Sequence, residues 1–175
     1  AAALQQCYVD IRHGLGFNKA PDIFGAFPTD PYSHTPKGQG AKQPGMTGLV
    51  KEEILMRLTE LGVSVENGKL TFDTTLLDRQ ELLTDSALFS YIDVWGDVQV
   101  IELKAGSLAY CICQTPVVLQ TADRVRIAVH NANGTVREID GNILDSATSG
   151  EIFRRDGTIR YLNIDVPANR SGRVT

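Results

Sequence analysis

With 175 residues, 42% of them hydrophobic, the chain is long enough to bury a core and has the size of one domain with an appendage. A formal net charge of −4, with Lys and Arg scattered along the chain, gives no basic field for holding phosphate backbones and excludes nucleic acid from the expected partners. No run approaches the roughly 20 consecutive apolar residues of a membrane-spanning helix, and the N-terminus lacks the basic start and apolar stretch of a signal peptide, so no membrane partner is expected.

Leu4, Cys7, Tyr8, Ile11 and Leu15 recur at helical spacing and predict an amphipathic helix that ends near Gly14 and Gly16. Three alanines stand before it, with no Ser, Thr, Asp or Asn to cap it, so the expectation is a chain cut inside a helix whose start lies upstream. Residues 17–44 follow no helical or strand period. That segment exceeds an ordinary connector of at most about 15 residues, and its aromatics Phe17, Phe24, Phe27 and Tyr32 predict a long loop ordered by packing. Thr47 then caps a helix with Val50, Ile54, Leu55, Leu58 and Leu61 on one face, Lys51, Glu52, Glu53, Arg57 and Glu60 opposite, and Gly62 as its stop. A short helical piece is expected over 78–83.

Beyond residue 62 the period becomes that of strands. Asn67-Gly68 separates 63–65 from 69–72, Asn133-Gly134 separates VRIAVH from TVREI, and Asp156-Gly157 separates EIFRR from TIRYLNIDV, each as a tight hairpin turn. Between them lie VQVIEL, SLAYCIC and PVVL, punctuated by Ala105-Gly106 and Thr115-Pro116. Eight or nine short strands result. The fold expected is mainly β: an antiparallel, jelly-roll-like β-sandwich over 63–175, preceded by two helices and the long loop over 1–62.

Cys111 and Cys113 stand two apart in a run that reads as strand, where a mutual disulfide would be strained, so buried free thiols are expected. His13, His34 and His130 are too far apart in sequence to complete a metal site with them, and no metal is predicted. QPGMTG before the second helix lacks the glycine frame and Lys of a phosphate-binding loop and reads as a cap; no cofactor is predicted.

Two places carry recognisable chemistry. Asp30, Tyr32 and His34 in DPYSHTP put a carboxylate, a phenol and an imidazole on a loop stiffened by prolines 28, 31 and 36, which suits the edge of a sugar site, although Asp and Ser beside Pro are also ordinary turn formers. Trp95, the single tryptophan, sits in SYIDVWGDV. It can serve as a stacking platform for a sugar ring or pack in the core, the commoner fate. Glycoside hydrolysis needs two carboxyl groups flanking one bond, and nothing in the spacing of Asp10, Asp22, Asp30, Glu52 and Glu53 pairs any two of them.

GAFPTDPYSHTP, GAKQPGMTGLVKEEILMRLTELGV, IELKAGSLAYCICQTPVV and GNILDSATSGEIFRRDGTIRYLNIDV together resemble the C-terminal part of large bacterial glycoside-hydrolase-like proteins, in which an α/α toroid precedes a β-sandwich. The resemblance covers most of the chain, and its motifs are structural in kind. It implies that residues 1–62 are the remnant of a truncated toroid and that the upstream helical catalytic domain is a partner. It also implies a parent protein exported by a signal lying further upstream, as proteins acting on polysaccharide commonly are. Loops at one end of such toroids line the substrate cleft, which makes Asp30, Tyr32 and His34 the loop positions to test. The function expected is a non-catalytic structural or accessory β-sandwich of a carbohydrate-active protein. The alternative is a free-standing module that binds a sugar or small ligand.

If the N-terminal helices once covered a toroid, their apolar stripes need another partner, and a homodimer through those helices is the expected outcome for the isolated chain. Polar replacements at Leu4, Ile11 and Leu15 should then shift sedimentation from dimer to monomer without unfolding the β domain. A monomeric unmodified chain that binds no hydrophobic dye would contradict this.

Overall fold

The computed structural model describes residues 3, 4, 6 and 54–167. The chain divides into two compact units, Ala1–Leu61 and Gly62–Thr175. In the first, Ala3, Leu4 and Gln6 are helical, and a helix, α1, runs over 54–60 with Arg57 paired to Glu60 at 2.9 Å. Leu4, Ile54 and Leu55 expose their side chains. The rest of the predicted N-terminal helix, the loop over 17–44 and the Thr47 cap lie outside the described residues.

The second unit is mainly β, as the change of period predicts. Nine strands are described there: β1 (Val63–Glu66), β2 (Lys69–Phe72), β3 (Ala87–Ile92), β4 (Val98–Leu103), β5 (Ser107–Ile112), β6 (Thr115–Ala122), β7 (Arg126–Asn131), β8 (Val136–Asp140) and β9 (Ile159–Pro167). They form two hairpin sheets, β1-β2 and β3-β4, and one five-stranded sheet in the order β5-β6-β9-β7-β8. The arrangement is sandwich-like and every pairing is antiparallel except β6 with β9. Asn67 and Gly68 both take positive φ, 50° and 73°, the mirror-image turn that joins twisted strands, and Asn133-Gly134 joins β7 to β8.

The core lies on one face of the five-stranded sheet. Val117 and Leu119 of β6, Leu162, Ile164 and Val166 of β9, and Ile127 and Val129 of β7 are buried at alternate positions, as period-2 side chains on one face must be. Leu70 and Phe72 of β2, Leu144, and Ile152 of a helix complete it. That helix, α2 (Ser146–Arg154), corrects the expectation of a hairpin around Asp156-Gly157, because EIFRR is its last turns and not a strand. Asp145 caps it by accepting from the Thr148 N–H at 2.7 Å, and Arg155 ends it in the left-handed region at φ 55°. Its buried side chains are Thr148, Ser149 and Ile152, spaced for one face of a helix.

Three smaller expectations are also corrected. Thr115 and Pro116 open β6 instead of interrupting the strands; the turn is Cys113-Gln114, where both non-glycine residues hold positive φ, 48° and 67°. Both cysteines are free, but Cys111 is exposed and Cys113 half-buried, because β5 is an edge strand and Cys113 lies in its turn. The helical piece over 78–83 is a single 3-10 turn, Arg79–Glu81, capped by Asp78; another, Thr74–Leu76, is capped by Asp73.

Gly62 sits where α1 has ended, with φ 75°; a Cβ there would collide with the Asp73 carbonyl and lie 2.7 Å from the Thr74 nitrogen. The stop glycine is therefore required by space as well as by conformation.

Ser149, fully buried, accepts a hydrogen bond from the Leu70 N–H at 3.0 Å and so ties α2 to β2. Ser149→Ala leaves that buried donor unpaired and should lower unfolding free energy by about 1–3 kcal/mol. Urea denaturation should show a lower midpoint with an unchanged slope; an unchanged midpoint would mean the bond contributes nothing.

Candidate functional site

Three turns meet at one end of the five-stranded sheet and enclose a shallow groove of about 240 Å³. Tyr91, Asp93, Val94, Trp95 and Gln99 come from the β3–β4 hairpin, Gln114 and Thr115 from the β5–β6 turn, and Gly157, Ile159 and Arg160 from the entry to β9. Ala132, in the β7–β8 turn, closes the remaining side and donates its N–H to the Thr158 carbonyl at 2.9 Å.

The hairpin turn is organised by one carboxylate. Asp93 is only 8% exposed, and its Oδ1 accepts from the N–H groups of Trp95 and Asp97 at 3.0 and 2.9 Å. Oδ2 accepts from Gln99 Nε2 at 2.9 Å, while the Asp93 carbonyl accepts from the Gly96 N–H and from Gln114 Nε2. Burial pushes the carboxyl pKa up, but hydrogen bonds from Asp97, Gln99, Trp95 and Gly96 together outweigh it and hold the value below the ordinary carboxylate one. Asp93 is thus an ionised structural acceptor, and its bond to Gln114 joins two turns that are distant in sequence.

Trp95, one residue into this network, is 69% exposed; the core fate that the sequence favours is not the one it takes. Its ring edge lies over Gly157. A Cβ at residue 157 would overlap the ring, coming within 2.6 Å of Cη2, so glycine is what lets the indole approach the turn this closely. Tyr91 stacks on Phe89 with centroids 6.0 Å apart and planes 15° off parallel, and burial raises its hydroxyl pKa, with the Arg160 charge acting in the opposite direction. Arg160 itself is exposed.

Of the residues picked out from sequence, Trp95 lies at this groove, while Asp30, Tyr32 and His34 fall outside the described residues. No motif or spacing in the sequence singles out Tyr91, Gln99, Gln114 or Arg160. Only Asp93 has a local signal, as the Asp that opens the Asp-x-x-Gly turn of the hairpin.

A second polar cluster lies on the opposite face of the five-stranded sheet from the core. His130 and the adjacent-strand Tyr161 stack at 4.0 Å, the His130 ring lies 3.4 Å from the Asn163 amide, and Arg126 bridges Asp165 and Glu138, each at 2.9 Å. Burial, helped by Arg160, lowers the His130 pKa, so the ring is neutral near pH 7. These are cross-strand partners that stabilise the sheet. No group of three or more His, Cys, Asp or Glu suited to a metal ion occurs among the described residues.

Comparison with family models finds no match for this chain, and comparison with curated proteins finds none either.

Because the chain has a single tryptophan, its fluorescence reports this site alone. Gly157→Ala should expel the ring from its seat, lowering emission anisotropy and shifting the maximum to longer wavelength while the far-ultraviolet dichroism stays that of the parent. An unaltered emission spectrum would show that the contact does not hold the ring.

Proposed function

We propose that this chain is a non-catalytic accessory β domain of a larger carbohydrate-active protein and that it binds a saccharide on the face of Trp95. The observation that carries this reading is the exposure of a large aromatic ring, 69% accessible, at a fixed position beside polar side chains. An exposed indole held by its surroundings costs little to order, and its face takes up the C–H surface of a pyranose while the rim of the groove meets the hydroxyls.

The rim suits that task. The amides of Gln99 and Gln114 each commit an N–H to the Asp93 network and keep a carbonyl oxygen to accept from a hydroxyl, and Tyr91 adds a phenol. A groove of about 240 Å³ is smaller than the roughly 300–1,000 Å³ of pockets that enclose a small molecule, and it is open, which favours part of a longer chain over a whole small ligand. Asp93 is the one carboxylate among the described residues lining the groove, and its oxygens are engaged by the turn. Hydrolysis by a carboxyl pair is not what such a groove offers.

A free-standing binding module is the second reading, favoured by the apolar core that the described residues of Gly62–Thr175 form. It uses the same groove.

Titration with a panel of neutral and acidic oligosaccharides should quench or shift Trp95 fluorescence saturably for at least one of them. Trp95→Ala should weaken that binding by about tenfold or more in calorimetry, the loss expected for one stacked ring. Absence of saturable binding across the panel, or full affinity in Trp95→Ala, would overturn the reading.

A further inference from the structure

We infer that the groove selects a carboxylated saccharide, a uronate-containing chain, with Arg160 as the residue that pairs with the sugar carboxylate beside the Trp95 platform. The assignment rests on the saccharide-binding reading above and adds the chemical class of the sugar.

Among the described residues, four arginines have carboxylate partners within 3.3 Å: Arg57 with Glu60, Arg126 with Asp165 and Glu138, Arg137 with Asp145, and Arg154 with Asp156. Arg160 forms no such pair among the described residues, and unlike Arg79, Arg124 and Arg155, which share that condition, it lines the groove. Asp93, which lines the groove with it, and Asp156, in the turn that leads to it, are already engaged. Asp93 gives its oxygens to two backbone N–H groups and to Gln99, and Asp156 accepts from Arg154 and from the Thr158 N–H at 3.0 Å. The cation at the mouth of the groove is therefore left for a ligand.

Geometry favours a carboxylate over a diffuse anion. A guanidinium is a planar fork matching the two oxygens of a carboxylate, and a uronate carries that group on the same ring whose C–H face would lie on the indole. Stacking fixes the ring and the fork reads its substituent, so the two contacts act on one sugar residue. The net charge of −4 works against unselective capture of polyanions, which leaves discrimination to the local pair.

The test compares a galacturonate oligosaccharide with its fully methyl-esterified form, the same sugar without the charge, by calorimetry on the whole chain at moderate salt. The acid should bind about tenfold more tightly than the ester, the gain of one charge-assisted bidentate contact. Arg160→Gln should abolish the acid's advantage so that acid and ester bind alike, and Arg160→Lys should recover only part of the difference. Circular dichroism of each variant checks that the fold is kept. Equal affinity for acid and ester in the parent, or a preference that survives Arg160→Gln, would overturn the assignment and leave saccharide binding standing. If neither form nor any neutral oligosaccharide binds, the saccharide reading itself falls, and the assignment falls with it.

Discussion

A strand inserted into the middle of a sheet cannot arrive by hairpin, and β9 is such a strand, lying between β6 and β7 and parallel to the first of them. Its chain must leave β8, which it parallels through their shared neighbour β7, and run back to the end of the sheet at which β8 began; α2 lies in that return. The return does two things at once. It lays Ile152, Thr148 and Ser149 onto the structure that seals the core, and it delivers Asp156, Gly157 and Arg160 to the end of the sheet where the other turns gather. Without the insertion, Trp95 would have no floor and the groove no positive wall.

The opposite wall depends on a different requirement. A buried carboxylate is costly unless its lone pairs are filled, and Asp93 fills them from its own turn, using backbone N–H groups that the reversal of the chain would otherwise leave unsatisfied. Gln99, from the neighbouring strand, donates to the other carboxylate oxygen, and Gln114, from the next hairpin, donates to the Asp93 backbone carbonyl. A local turn is thereby locked into tertiary structure, and a large apolar side chain can stand in solvent without the hairpin tip collapsing to bury it.

Much of the β domain is legible in the amino-acid sequence itself. Asn67-Gly68 and Asn133-Gly134 mark two hairpins, the first through a mirror-image turn that fits the strand twist and the second through a longer turn in which Gly134 takes the positive φ, and the alternation of LNIDV marks β9. α2 escapes notice because its buried stripe holds two small polar residues and a single isoleucine, so the usual apolar periodicity is faint; the cap formed by Asp145 and Thr148 is the better clue. Trp95 stands out as a lone aromatic, but exposure depends on what packs around it. Gln114 and Arg160 belong to its surroundings only through the arrangement of β5, β6 and β9, which no local spacing encodes.

The turn between β5 and β6 shows how far local comfort has been set aside. Cys113 and Gln114 both occupy the left-handed region that glycine and asparagine enter most easily, at a cost of roughly 1–2 kcal/mol per residue. An Asn-Gly pair would relieve the backbone, yet it would remove the long amide that reaches Asp93 and forms part of the groove. Any effort to harden this domain by idealising its hairpins would therefore strengthen the scaffold and remove one wall of the groove in the same step, which makes this turn a place where robustness and the shape of the surface are opposed.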